Sequence, residues 1–157
     1  MLEPGVLAPE FTLRDLDGND WNFTEALQHG PIVLVFFKIS CPTCQFTFPY
    51  LQRMADGRLW PDEVPFIAVS QDTVEDTREF QQRFGVWLRT LTDITREWPA
   101  SKAFRITSVP SFFVIDPDGK IAASFDGFNK TQLQRIGGRF GVVPFSEADA
   151  VPDFRPG

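Results

Sequence analysis

Cys41 and Cys44, in Cys41-Pro42-Thr43-Cys44, are the only two cysteines of the 157-residue chain. They follow Ile32–Phe37, a run of β-branched and aromatic residues with the pattern of a strand buried on both faces. Beyond them, apolar residues recur at helical spacing through Phe48, Leu51 and Met54. The pair therefore sits where a central strand hands over to a helix. Free N–H groups and the macrodipole at a helix N-terminus favour a thiolate, which makes this a place for thiol redox chemistry. A free cysteine has a pKa of about 8.5; in CxxC motifs it falls to roughly 7 or lower, giving about half or more thiolate at neutral pH. The helix end should stabilise the anion of Cys41, and Lys38, three residues earlier, is a candidate to tune it further. Cys44 lies one turn further in and is expected to be less exposed. A disulfide between them would close too small a loop to hold a domain together, so the pair reads as chemical.

The remaining elements must position this pair. Glu10–Asn22 alternates about Asp17-Gly18-Asn19 and predicts a β-hairpin. Thr24 is placed to cap a short helix that Gly30-Pro31 ends. The helix after the cysteines should run from Pro42 to about Met54, with a kink at Pro49. Pro65–Ser70 predicts a second buried strand, and the capping-box spacing Asp72–Glu75 opens a helix that Gly85 stops. Leu88–Leu91 reads as a weak strand and Thr95–Phe104 as a helix interrupted at Pro99. Ser111–Ile115 and Lys120–Phe125 pair across the type I turn Asp116-Pro117-Asp118-Gly119, and Thr131–Phe140 forms a last helix. From Gly141 onward, prolines among acids predict an extended tail. Right-handed crossovers make strands 32–37 and 65–70 parallel, the second hairpin adds antiparallel strands at one side, and helices cover both faces. The expected organisation is one domain over 1–157, with a core at about 9–140 and a tail at 141–157.

Seventeen phenylalanines predict a Phe-filled core between layers. A net charge of −6 and a pI near 4.7 disfavour nucleic acid or an anionic membrane surface as the main partner. The N-terminal residues have no basic and apolar regions of a secretory signal, and no apolar run could span a bilayer. The chain as given is therefore expected to be cytoplasmic, or extracytoplasmic if a leader has been removed.

Taken together, the leader PEFTLRDLDG, the buried strand before CPTC, the helical FPYL after it, VPSFFVIDPDGKI and Gly127 resemble the thioredoxin-like thiol–disulfide oxidoreductases, in particular the TlpA/ResA-like and redoxin (AhpC/TSA-related) branch. The resemblance covers roughly Pro9 to Phe140. It implies an α/β thioredoxin-like three-layer fold, a central mixed β-sheet with helices on both faces and an N-terminal β-hairpin. It also implies Cys41 as nucleophile, Cys44 as resolving thiol, and Pro110 in cis facing them. The activity implied is disulfide exchange with protein disulfide or dithiol partners and an upstream redox partner, with no cofactor. Pro42, Thr43, Val109 and Pro110 are the expected surface for gripping an extended substrate by backbone pairing. Three departures stand out: Ser40 replaces the usual aromatic before the first cysteine, Val35 a buried Asp, and Thr47 a Glu. Both acid–base helpers of the family are thus missing, leaving water or another carboxylate to serve Cys44.

Other readings are weaker. Two cysteines, a distant His29 and no second CxxC fall short of a zinc site, so no metal is expected, and His29 reads as an ordinary helix-end residue. A thiol peroxidase of peroxiredoxin type shares the fold, but its Pro-x-x-x-Thr/Ser-x-x-Cys pattern meets Leu34 and Lys38 here. A non-catalytic docking module built on Phe46, Phe48 and Tyr50 is the third reading, although aromatics at this spacing are more often core. Trp60, Trp87 and Trp98 are read as packing residues.

Overall fold

Alternation and turn chemistry place the first elements of the computed structural model, which describes residues 1–157 except Arg58 and Arg96. Strands β1 (Thr12–Asp15) and β2 (Asp20–Asn22) form the predicted hairpin, followed by α1 (Phe23–Leu27), β3 (Ile32–Phe37), α2 (Pro42–Asp56) and β4 (Phe66–Ser70). Then come α3 (Val74–Phe84), β5 (Arg89–Thr92), α4 (Pro99–Ala103), β6 (Ser111–Ile115) and β7 (Ile121–Asp126). The chain closes with β8 (Phe128–Asn129), α5 (Lys130–Arg139), a 3₁₀ turn at Glu147–Asp149 and β9 (Phe154–Arg155). The main sheet has the order β2-β1-β5-β4-β3-β6-β7, with β3 parallel to β4, β4 parallel to β5, and β3 antiparallel to β6. This is the expected mixed thioredoxin-like sheet.

Because alternate residues of a strand face opposite ways, β3 serves two cores at once. Val33, Val35 and Phe37 pack with Cys44, Phe48 and Leu51 of α2, Phe80 of α3, and Leu133 and Ile136 of α5. Ile32, Leu34 and Phe36 pack on the other face with Phe23, Trp21, Ala100 and Phe104. Phenylalanines fill both layers as composition suggested; Phe104, for example, meets Phe11, Phe36 and Phe113 edge-on or tilted. No helix among the described residues is long and apolar enough to cross a membrane.

Several local expectations shift. Asn22, not Thr24, caps α1 by accepting from the Glu25 N–H. Thr73 caps α3 by accepting from Asp76, one residue later than the Asp72–Glu75 spacing suggested, which frees Asp72. The helix predicted over 95–104 forms only at Pro99–Ala103, because Trp98 adopts a left-handed conformation (φ 44°). Trp60 is buried, but Trp87 and Trp98 are exposed, so two of the three expected packing tryptophans lie outside the core.

Fully buried Asp93 stands in for the missing cap on α4, its two carboxylate oxygens accepting from the N–H groups of Ala100 and Ser101 at 3.1 and 2.7 Å. Asp93→Ala strands both donors and is expected to cost about 2 to 4 kcal/mol, read as a lowered midpoint in chemical denaturation. An unchanged midpoint would contradict this.

The segment after α5 packs back on the rest of the chain. Val142 and Phe145 are buried in the α2 face of the core, and Phe145 meets Tyr50 and Phe128 edge-on or tilted. Arg53 grips Asp149 with two hydrogen bonds, at 2.8 and 3.0 Å. β9 then pairs antiparallel with β8. Two apolar side chains and one bidentate ion pair offset the flexibility that proline-rich, acidic composition implies.

Candidate active site

α2 can begin abruptly because Pro42 occupies its first turn, where a missing N–H is no loss and φ is already helical. Cys41 is its N-cap: the sulfur accepts from the Cys44 N–H at 3.2 Å, a place more often taken by Ser or Asp. The Cys41 thiol also reaches the Val109 carbonyl at 3.2 Å. The Val109–Pro110 bond is cis, and β6 follows it beside β3. The topology thus brings together the two cysteines and the Val109–Pro110 loop, far apart in sequence.

Burial separates the two thiols. Both are free; Cys41 is partly exposed and Cys44 wholly buried. The pKa of Cys41 is brought down to about 6, mainly by the hydrogen bond from the Cys44 thiol. Partial burial opposes this, while the N–H groups of Cys44 and Thr43 and the charge of Arg155 act with it. Cys44 goes the other way, pushed far up by burial first and by its neighbour Cys41 second, with the Asp72 carboxylate adding to the rise. At neutral pH the site holds one accessible thiolate above one protonated, shielded thiol.

The other predicted residues fall as follows. The Lys38 side chain is exposed, and this residue acts on Cys44 through its backbone; the cation acting on Cys41 is Arg155. Pro42 is exposed, Pro110 buried and Val109 half-buried. Thr43 is buried, and its hydroxyl donates to the Pro156 carbonyl at 2.6 Å. Val35 and Thr47 are wholly buried, and the Thr47 hydroxyl donates to the Thr43 carbonyl. Phe48 is core, while Phe46 is half-buried against Tyr50 and Phe128.

Two residues were missed. Asp72 follows β4, accepts from the Ile39 N–H at 2.8 Å, and is the carboxylate felt by Cys44. Its signal was available, since parallel strands β3 and β4 deliver their following loops to the same edge of the sheet. Arg155, 4.4 Å from the Phe46 ring centroid, had no local signal.

The sequence matches the AhpC/TSA family over residues 4–124. The chain belongs to this family. Among its relatives, the thiol-disulfide oxidoreductase ResA of Geobacillus thermodenitrificans is 27% identical over 128 residues, spanning 78% of this chain and 69% of that protein. Peroxiredoxin Bcp of Escherichia coli is 30% identical over 141 residues, spanning 81% and 87%. The thioredoxin domain of a thiol-disulfide oxidoreductase from Bacteroides vulgatus superposes with a TM-score of 0.75, covering 89% of this chain and 99% of that one at 21% identity, which shows the shared fold. Family, fold and dithiol geometry together make the chain a redoxin-branch thiol–disulfide oxidoreductase.

Proposed function

We propose that this AhpC/TSA member exchanges disulfides with protein partners through the Cys41-Pro42-Thr43-Cys44 dithiol, with no bound cofactor. The observation that carries the reading is the opposed state of the two thiols, an accessible Cys41 brought down to about 6 and a buried Cys44 pushed up. The Cys41 thiolate attacks one sulfur of a client disulfide; a mixed disulfide forms and the other client sulfur leaves as thiolate. Cys44 then gives up its proton, attacks the Cys41 sulfur and releases the second client thiol. The client gains two electrons, with one proton traceable to Cys44 and one taken from solvent, and the enzyme ends as the Cys41–Cys44 disulfide, which an upstream dithiol partner reduces again. The same steps reversed oxidise a client; the reduction potential against glutathione sets the direction. Asp72, whose charge acts on Cys44, is the carboxylate available at the second step in place of those absent at Val35 and Thr47.

The test is turnover of insulin disulfides together with the Cys44→Ser variant. Serine at 44 cannot resolve the intermediate, so a mixed disulfide on Cys41 should accumulate and be released by added dithiol. Failure to form any adduct on Cys41 would sink the reading.

Likeness to peroxiredoxin Bcp favours a second reading, peroxide reduction at Cys41 through a sulfenic acid that Cys44 condenses to the disulfide. Lys38 stands where that chemistry uses Thr or Ser. Hydrogen peroxide consumption is expected to stay slower than disulfide exchange; comparable rates would favour the peroxidase.

A further inference from the structure

The groove beside the dithiol is already occupied, and the occupant is residues 153–157 of the chain itself. Phe154 and Arg155 pair antiparallel with Asn129 and Phe128, and the Lys130 N–H donates to the Asp153 carbonyl at 3.0 Å. The Pro156 carbonyl takes the Thr43 hydroxyl at 2.6 Å, on the first turn of α2. The Arg155 guanidinium covers Phe46, 4.4 Å from its ring centroid, and its charge acts on Cys41. Two glycines mark the closest approaches. A Cβ on Gly157 would overlap the Val109 carbonyl, and one on Gly127 would overlap the Arg155 carbonyl.

The surroundings of this segment are therefore the elements that an extended client would need: the start of α2, the loop at Val109 and the short strand β8. An antiparallel pair only two residues long is readily opened. We infer that Phe154–Gly157 occupies the client site in place of a client, and that a protein substrate enters by taking over its contacts. The segment that fits is an extended peptide carrying a cationic side chain over Phe46, a backbone carbonyl for the Thr43 hydroxyl, and a glycine or other small residue against Val109. This rests on the disulfide-exchange reading above. A small disulfide reaches the partly exposed Cys41 sulfur directly, whereas a protein disulfide must first displace the segment. The segment thereby sets which substrates react.

Gly157→Val tests this, because a Cβ there would overlap the Val109 carbonyl, so residue 157 cannot keep its place against that loop. The readout is the ratio of the insulin rate to the rate with oxidised glutathione, so that any change in Cys41 reactivity cancels. The ratio should rise about tenfold, as for a site open in about a tenth of the unmodified molecules. Arg155→Glu, which loses the cation over Phe46, should move it the same way. An unchanged ratio in both variants overturns the inference, and a fall would make the segment part of the client-binding surface instead. A second readout needs no disulfide activity: alkylation of Cys41 by a polymer-linked maleimide relative to iodoacetamide should rise about tenfold in Gly157→Val, and an unchanged ratio overturns the inference. If the unmodified protein reduces neither disulfide, the exchange reading falls, while the alkylation ratio still decides whether the segment guards the groove.

Discussion

Cys41→Ser is expected to reduce disulfide exchange by on the order of 10³ or more, to the uncatalysed background. With its pKa near 6, Cys41 is about nine-tenths thiolate at pH 7, and a serine hydroxyl has no comparable ionised fraction. The loss should be chemical and not structural. Cys41 caps α2 through the Cys44 N–H, and a serine oxygen is a better acceptor for that same bond. Activity measured with insulin should therefore disappear while the unfolding midpoint stays within a few degrees. Retained activity would remove Cys41 from the mechanism, and a collapsed midpoint would show that the loss reports folding.

The second large effect is on pH dependence. Iodoacetamide should react with Cys41 along a titration centred near pH 6 and level off above pH 7, well below a free thiol. The largest cause of the lowered value is the hydrogen bond from the Cys44 thiol, so Cys44→Ala should move the midpoint upward toward the free-cysteine value. At pH 6 the alkylation rate would then fall several-fold, and at pH 9 it would hardly change. A midpoint unmoved by Cys44→Ala would assign the effect to the helix end and Arg155 alone.

Stability follows the same groups. For Cys41 the folded pKa is below the unfolded one, so its contribution is complete above about 8.5 and is lost as pH falls through about 6. For Cys44 the folded pKa is raised, so its contribution is present below about 8.5 and is lost above it. The reduced protein should become more stable between pH 6 and 8.5 and less so beyond. The disulfide form has neither thiol and should lack this dependence, a comparison available from denaturant midpoints.

Much of the architecture was legible because it rests on local pattern. Ile32–Phe37 was read to the residue, since a short, uninterrupted apolar run between a Gly-Pro turn and a polar loop has little freedom in its ends. Gly85 stops α3 as expected, and the structure shows that it does so in a left-handed conformation. The errors fell where a local signal had competitors. Asn22 outcompeted Thr24 as a cap, and Thr73 outcompeted Asp72, because the entry angle of the chain decides which oxygen meets the free N–H groups. Trp98 begins α4 from a left-handed conformation that no propensity favours, with the cap supplied instead by Asp93 from the end of β5.

At the site the division is sharper. The sequence by itself determined that two thiols share the first turn of a helix after a buried strand, and with it the chemistry of a CxxC pair. That needed only neighbours in the chain. The spacing also anticipated Cys41 as the anion and Cys44 as the less exposed thiol. Tertiary structure decided how far they differ, because burial under the core raised Cys44 while the Val109 carbonyl, Asp72 and Arg155 gathered around the pair from three distant segments. It also turned residues 153–157 from an apparent tail into the neighbour of Thr43, a contact spanning 113 positions. Composition marks such a segment as polar and proline-rich, but where it docks depends on Phe145, Val142 and the Arg53–Asp149 pair meeting a surface that exists only once the sheet and helices have assembled.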